Sequence, residues 1–269
     1  MRHVPRQPRE GINVSDTNPL VEAGTLVAGL TAIFVAIVLL LVFLIEVVLY
    51  FVPAEKEAAL FRDWLPMDLV TVSPADERLE QTQALVDDLA RYWPSSPYEF
   101  RVEVDQSEVA NAMALPGGLI IVTEGLLDQV ESENELAFVL GHELGHYRNR
   151  DHLRALGRGV ILSLLFTVTT GRDVSGLGLA VSDLALRGFS RKQEIAADAF
   201  GLAAVNARYG HVDEAWRLFE RWDEGNGGGL NIAAYTSTHP QPADRIERLE
   251  ELALTEGWDV DGPVTGLDW

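Results

Sequence analysis

The sequence predicts an α+β chain, mainly α with a small β-sheet, preceded by one N-terminal transmembrane helix. Three observations predict it. Residues 23–45 form a run of 23 residues without a charge, long enough at 1.5 Å per residue to span about 34 Å and cross a bilayer. Helical signals recur at 75–93, 135–151, 190–208, 211–224 and 242–254. Between the first two of these, Tyr98, Phe100, Val102 and Val104 alternate with polar residues, and 109–127 holds two short strand-like runs about Pro116, Gly117 and Gly118.

In chain order, residues 1–22 are a polar, Pro-containing tail with Arg2, Arg6 and Arg9. The anchor, 23–52, continues its apolar run past Glu46. A cleaved signal peptide carries a shorter apolar core and a small-residue cleavage site, so a retained single-pass anchor is expected. Three arginines precede the span and Lys56 and Arg62 follow it. The positive-inside rule then places the N-terminus inside and the following domain on the extracytoplasmic side of the cell membrane. Residues 53–74, with Pro53, Pro66 and Pro74, read as a linker. The domain proper is 75–255. It opens with an amphipathic helix carrying Leu79, Leu85, Val86, Leu89 and Trp93, then the alternating strand, the Pro-Gly-Gly hairpin and a helix starting near Glu124. Ser132 with Glu135, and Ser190 with Gln193, each have the spacing of a capping box. Gly210 ends the second of those helices. Between them, polar 151–158 gives way to apolar 160–170 and small, apolar 174–181, expected as a buried helical pair or an interfacial hairpin. GNGGG, 225–229, reads as a connector, and 256–269 as a mobile acidic tail.

Composition narrows the function. The chain has no cysteine, so any zinc site must use His and carboxylate ligands. Its net charge of -20, from 41 acidic against 21 basic residues, argues against nucleic-acid binding, which needs a basic face. Only Lys56 and Lys192 are lysines. That bias fits a high-salt habitat, and GC-rich codon usage would produce it equally well.

The chemistry concentrates in ELAFVLGHELGHYRNRD, residues 135–151. His142 and His146 stand at i and i+4, on one helix face, where two imidazoles can converge on one ion. Glu143 beside them can act as base on a water that zinc acidifies to a pKa of about 7. HExxH on a helix is thus a mechanism as much as a pattern. Leu136, Val139, Leu140 and Leu144 supply the apolar stripe that such a helix needs. A catalytic zinc takes three protein ligands, and Glu194 in QEIAAD, 48 residues after His146, is the candidate for the third. On spacing alone Glu194 is equally a helix-start carboxylate favoured by the helix dipole. Asp198, one turn further on, can hold a ligand imidazole by its free ring N–H.

HELGH, a later E-x-x-x-D and a preceding NAMALPGG together resemble the peptidase family of the HtpX heat-shock protease and the CAAX prenyl endopeptidase, over about residues 75–250. The resemblance implies a zincin-like metallopeptidase domain of the gluzincin kind with one Zn2+ per chain. His142, His146 and Glu194 would be its ligands, Glu143 its base and Asp198 an outer support. It also matches a His-Pro segment to His239-Pro240, with Arg245 following, and implies that His239 steadies the oxyanion. HtpX has several membrane passes, including a pair between HExxH and the Glu helix. One anchor is expected here, which resembles the single-anchor or soluble members and argues against CAAX processing.

The expected function is a membrane-anchored zinc metalloendopeptidase acting on polypeptides, misfolded or membrane-associated ones by resemblance. The substrate would add as a strand along Asn111, Ala112, Met113, Ala114, Pro116, Gly117 and Gly118. Its lipid partner is the bilayer around 23–52, and its oligomeric state is left open. An intramembrane protease can also carry HExxH, but Glu131, Glu133 and Glu135 before the motif and Arg148, Arg150 and Asp151 after it are too charged for hydrocarbon. The alternative from another class is a non-catalytic membrane chaperone or scaffold on the same fold.

Overall fold

The computed structural model describes residues 18–62, 71–170, 188–224, 235, 238–239 and 244–269. The chain divides into two units, Met1–Leu44 and Ile45–Trp269. The first consists, in its described part, of most of helix α1 (Pro19–Phe51), 33 residues long with a mean hydropathy of 3.3 in its apolar window. No residue of α1 is buried, and Leu26, Val27, Leu30 and Phe43 are well exposed. The helix is long and apolar enough to cross a membrane.

The second unit begins with a correction. The expected linker contains helix α2 (Ala54–Phe61), whose Glu57 and Ala58 are buried. Pro53, at φ -59 and ψ 147, stands just ahead of it. Ala54, Ala58 and Phe61 then repeat at helical spacing and pack against the domain. Two turns between prolines are too short to register as a periodic signal. Further on, Val72 pairs antiparallel with Asp105.

Helix α3 (Glu77–Ala90) starts at Asp76, whose side chain accepts from the Leu79 N–H at 3.0 Å. Strands β1 (Arg101–Asp105), β2 (Ala112–Leu115) and β3 (Leu119–Thr123) form a sheet in the order β1-β3-β2. β1 runs parallel to β3 and β2 antiparallel to it. Among the described residues, therefore, β2 is an edge strand. β3 is buried on both faces: Ile120 and Val122 join the main core, while Leu119 and Ile121 join a second cluster with Leu115, Ala155, Leu156 and Phe189. That explains its unbroken apolar run.

A short helix α4 (Glu124–Leu127) leads to α5 (Glu133–Asn149), which carries HELGH and is buried from Asn134 to Tyr147. Only half of its capping box forms. Ser132 Oγ accepts from the Glu135 N–H, but the Glu135 carboxylate turns to the Glu131 N–H and to Arg221. Residues 151–170 are one continuous helix, α6 (Asp151–Thr170), and 171–187, where the second half of the expected pair falls, lie outside the described residues. Helix α7 (Arg191–Tyr209) has both halves of its capping box and ends at Gly210, whose φ of 78° needs no side chain. The helix expected at 211–224 is shorter, α8 (Arg217–Asp223), because 213–216 are turns and Glu214 has a φ of 62°. Helix α9 (Arg245–Glu256) closes the domain.

The C-terminal segment is not a loose tail. Its Thr265 carbonyl accepts from the Glu133 N–H at 2.9 Å, its Thr265 N–H donates to Asn134 Oδ1 at 2.9 Å, and Trp258, Leu267 and Trp269 pack against the core. It thus satisfies one backbone donor, the Glu133 N–H, that the first turn of α5 cannot pair internally.

Candidate metal centre

Two helices build the site, and small residues let them approach. A Cβ placed on Gly145 would stand 2.7 Å from Ala197 Cα, and one on Gly201 would stand 2.8 Å from the His142 nitrogen. Gly141 faces Gly201 in the same seam. Backbone contact between α5 and α7 brings Glu194 over the two histidines that share the α5 face.

His142, Glu143, His146 and Glu194 are all fully buried, and His239 is 1% exposed. The His142 and His146 Nε2 atoms lie 3.0 Å apart. Glu194 Oε2 is 3.5 Å from His142 Nε2, and Oε1 is 3.5 Å from His146 Nε2. His239 Nδ1 lies 3.1 Å from His142 Nε2 and 3.4 Å from Glu194 Oε1. One ligand atom from each of His142, His146, Glu194 and His239 falls within 4.8 Å of all the others. A tetrahedral zinc with bonds of about 2.0–2.1 Å places its donor atoms about 3.3 Å apart. The observed separations bracket that value, and the nitrogen and carboxylate donors suit zinc.

The unpaired polar atoms of the site also call for a cation. Both oxygens of Glu143, both of Glu194 and Nε2 of His239 are buried without a hydrogen-bond partner. Buried carboxylates left so are costly unless a cation meets them. Burial raises the Glu194 carboxyl, but the surrounding histidines more than reverse this and hold it far below the usual range. Burial likewise lowers His146, yet Asp151, Glu194 and Glu143 push it up to about 9. Burial dominates at His142, which is lowered.

Each HExxH imidazole leans on a carboxylate. His142 Nδ1 is 2.9 Å from Asp198 Oδ1, and Arg245 holds Asp198 in turn through Nη2 at 2.6 Å and Nε at 3.1 Å. His146 Nδ1 is 3.0 Å from Asp151 Oδ2, whose other oxygen accepts from Gln193 Nε2 at 2.6 Å. The structure thus gathers Asp198 and Arg245 where the sequence suggests, and adds Asp151 and Gln193, which it does not. The rule that a ligand imidazole has a carboxylate at its other nitrogen could have flagged Asp151. His239 is surrounded differently. Its ring stacks on Tyr235 with centroids 4.7 Å apart, and its Nε2 is 3.4 Å from Glu143 Oε1.

The stretch 111–118 divides in two. Ala112, Met113 and Ala114 lie in β2, and Asn111 just before it accepts at Oδ1 from the Thr238 hydroxyl at 3.3 Å, next to His239. Pro116, Gly117 and Gly118 form the β2–β3 turn and are buried. A Cβ on Gly117 would meet the Phe61 oxygen at 2.2 Å, and one on Gly118 the Glu99 oxygen at 2.6 Å. The turn is therefore packed against other parts of the chain, and the strand itself is 112–115, where Met113 is half-buried and Ala112, Ala114 and Leu115 are buried.

Residues 76–253 match the family model described as peptidase family M48. The chain is similar to the mitochondrial metalloendopeptidase OMA1 of Schizosaccharomyces pombe, 31% identical over 159 residues covering 58% of this chain and 47% of that one. OMA1 of Arabidopsis thaliana is 33% identical over 158 residues, 58% of this chain and 32% of that one. A protease HtpX homolog of Salinibacter ruber is 32% identical over 167 residues, 50% of this chain and 60% of that one. The chain spans about half the length, or less, of the OMA1 relatives that it matches.

Proposed function

The chain belongs to peptidase family M48, and from that premise we propose that it is a membrane-anchored zinc metalloendopeptidase. The observation that carries the proposal is the buried constellation of His142, His146 and Glu194 with the unpartnered carboxylate of Glu143 beside it. His142, His146 and Glu194 would hold one Zn2+, with Asp198 and Asp151 orienting the imidazoles and Arg245 fixing Asp198. The chemistry that zinc supplies in such a site is a water acidified to a pKa of about 7 and a charge that polarises a carbonyl. Glu143 takes the water proton and passes it to the leaving amine nitrogen; both of its oxygens are free of other hydrogen bonds. His239 steadies the developing oxyanion. One fact supports separating it from the ligands: its Nε2, without a hydrogen-bond partner, faces the proposed base Glu143 at 3.4 Å.

The substrate is an extended polypeptide, docked along β2 at 112–115, the edge strand among the described residues, where backbone hydrogen bonds recognise any sequence. That suits misfolded or membrane-associated proteins. The exposed apolar face of α1 supports the anchor at 23–52, and the arginines ahead of it support an extracytoplasmic domain.

The test uses full-length protein in detergent, with zinc content and cleavage of an unfolded protein measured side by side. Glu143→Gln is expected to keep about one zinc per chain and to lose at least about a hundredfold in turnover. Wild-type turnover in that variant would remove Glu143 from the mechanism, and a wild-type protein that binds no zinc would remove the proposal itself.

A further inference from the structure

Glu57 lies one turn into α2, immediately beyond the membrane helix, and is only 3% exposed. Its carboxylate joins three elements that are distant in sequence. The Tyr98 hydroxyl donates to Oε2, the Gly117 N–H donates to Oε1 at 3.0 Å, and His152 Nε2 lies 3.4 Å from Oε1. Burial pushes the Glu57 carboxyl up, but His152, Tyr98 and Gly117 together hold it below its ordinary value, so it stays charged at neutral pH. A helix needing only apolar packing would bury an aliphatic side chain here; a buried carboxylate with three partners instead specifies one docking geometry.

What it grips matters. Gly117 lies two residues beyond the end of β2, in the turn that joins β2 to β3. α2 presses on this turn at backbone distance, since a Cβ on Gly117 would stand 2.2 Å from the Phe61 oxygen. The same juxtamembrane stretch is also fastened to the end of the HELGH helix. Arg150, the residue that ends α5, donates through Nη1 to the Leu49 oxygen at 2.6 Å and the Val52 oxygen at 2.7 Å. Arg154 Nε meets both Glu46 oxygens, at 3.0 and 3.1 Å. Residues 46–61 therefore hold both the strand edge and the helix that carries the metal ligands.

We propose that Glu57 is a positioning residue for peptide binding: it clamps the β2–β3 turn to the segment leaving the membrane helix, and the edge of β2 is ready for a substrate strand only while that segment is seated. The proposal rests on the reading of β2 as the docking strand. Glu57 touches no ligand of the metal, so its loss leaves the chemical step intact and weakens substrate capture.

The test compares full-length wild type, Glu57→Gln and Glu57→Leu in detergent, by backbone hydrogen exchange, zinc content, and KM and kcat on an unfolded polypeptide. Leu removes every acceptor, and Gln keeps one for Gly117. Exchange across 112–119 is expected to speed up about tenfold in Glu57→Leu and less in Glu57→Gln, with 135–149 unchanged. KM rises about tenfold while kcat stays within about twofold and zinc is retained. Should Glu57→Leu fail to fold, Glu57→Gln combined with Tyr98→Phe serves in its place. Unchanged exchange at 112–119 overturns the clamp. Faster exchange with an unchanged KM, or a fall in kcat that tracks zinc loss, overturns the positioning role. The exchange arm needs no catalysis, so a wild type that cleaves nothing would count against the peptidase reading while the clamp is still decided.

Discussion

His146 shows how far the buried cluster of His142, His146, Glu194 and His239 suits a cation. With no metal bound, its neighbours Asp151, Glu194 and Glu143 outweigh burial and push the imidazole up to about 9. An unfolded histidine titrates near 6.5. Between these values the folded chain binds a proton that the unfolded chain has released, so this residue's stabilisation is complete below about 6.5 and disappears as pH rises toward 9. His142 is lowered by burial and loses its proton below that window, so it does not oppose the trend there. The chelator-stripped protein is expected to melt at lower temperature at pH 9 than at pH 6.5, by up to about 1.4 kcal/mol for each pH unit. Restoring zinc should reverse the trend, because the metal takes the proton's place. Thermal unfolding across that range checks it, and a midpoint that is flat or rising in the stripped protein would contradict the assignment. At this scale the sequence was largely legible. The i, i+4 spacing gave the histidines a shared face, and E-x-x-x-D did the same for Glu194 and Asp198. Asp151 was hidden because it lies beyond Arg150, whose φ of 57° takes the chain out of the helix before returning it toward His146. No helical period predicts that return.

At the scale of elements, the site depends on how closely α5 and α7 pack. Gly141 and Gly145 are plain in the sequence, but glycine within a helix ordinarily reads as a loss of helix propensity. Their purpose shows only when Ala197 and Gly201, more than fifty positions later, are set against them. Long-range complementarity of small residues leaves no local pattern. Gly145→Ala should force the two backbones apart, since its Cβ would stand 2.7 Å from Ala197 Cα, and neither backbone can yield without moving Glu194. The expected cost is about 1–3 kcal/mol, a fall in melting temperature of about 2–4 °C for each kcal/mol, accompanied by weaker zinc retention. Gly29→Ala in α1 is the control, as nothing lies within 4 Å of its Cβ position. Calorimetry with zinc analysis reads both, and equal behaviour of the two variants would show that the seam is not under steric constraint.

At the scale of the whole molecule, the acidic composition that argues against nucleic-acid binding also disguised the C-terminal segment. Residues 256–269 carry Asp259, Asp261 and Asp268, together with glycine and proline and no apolar period, which are the marks of an unstructured end. The segment is held by features that composition does not report. The Asp259 oxygen accepts from the Val212 N–H at 2.8 Å, the Gly262 N–H donates to Asp213 Oδ2 at 3.1 Å, and Thr265 bonds both the Glu133 N–H and Asn134 Oδ1. Single aromatic anchors, Trp258 and Trp269, add contact with the core. Its closing contacts fall on the first turn of α5, between two and three turns ahead of His142, so the chain's last residues brace the helix on which the site is built. Removing 259–269 leaves Trp258 in place but takes away four hydrogen bonds and the packing of Leu267 and Trp269. At about 0.5–1.5 kcal/mol for each bond the loss is at least about 2 kcal/mol, or a fall of about 4–8 °C in melting temperature. Hydrogen exchange should locate the effect at 131–137, where the freed Glu133 N–H opens to water, before it reaches 142–146. A truncated chain with unchanged melting temperature and unchanged exchange at 131–137 would mean that the segment rests on the domain without supporting it.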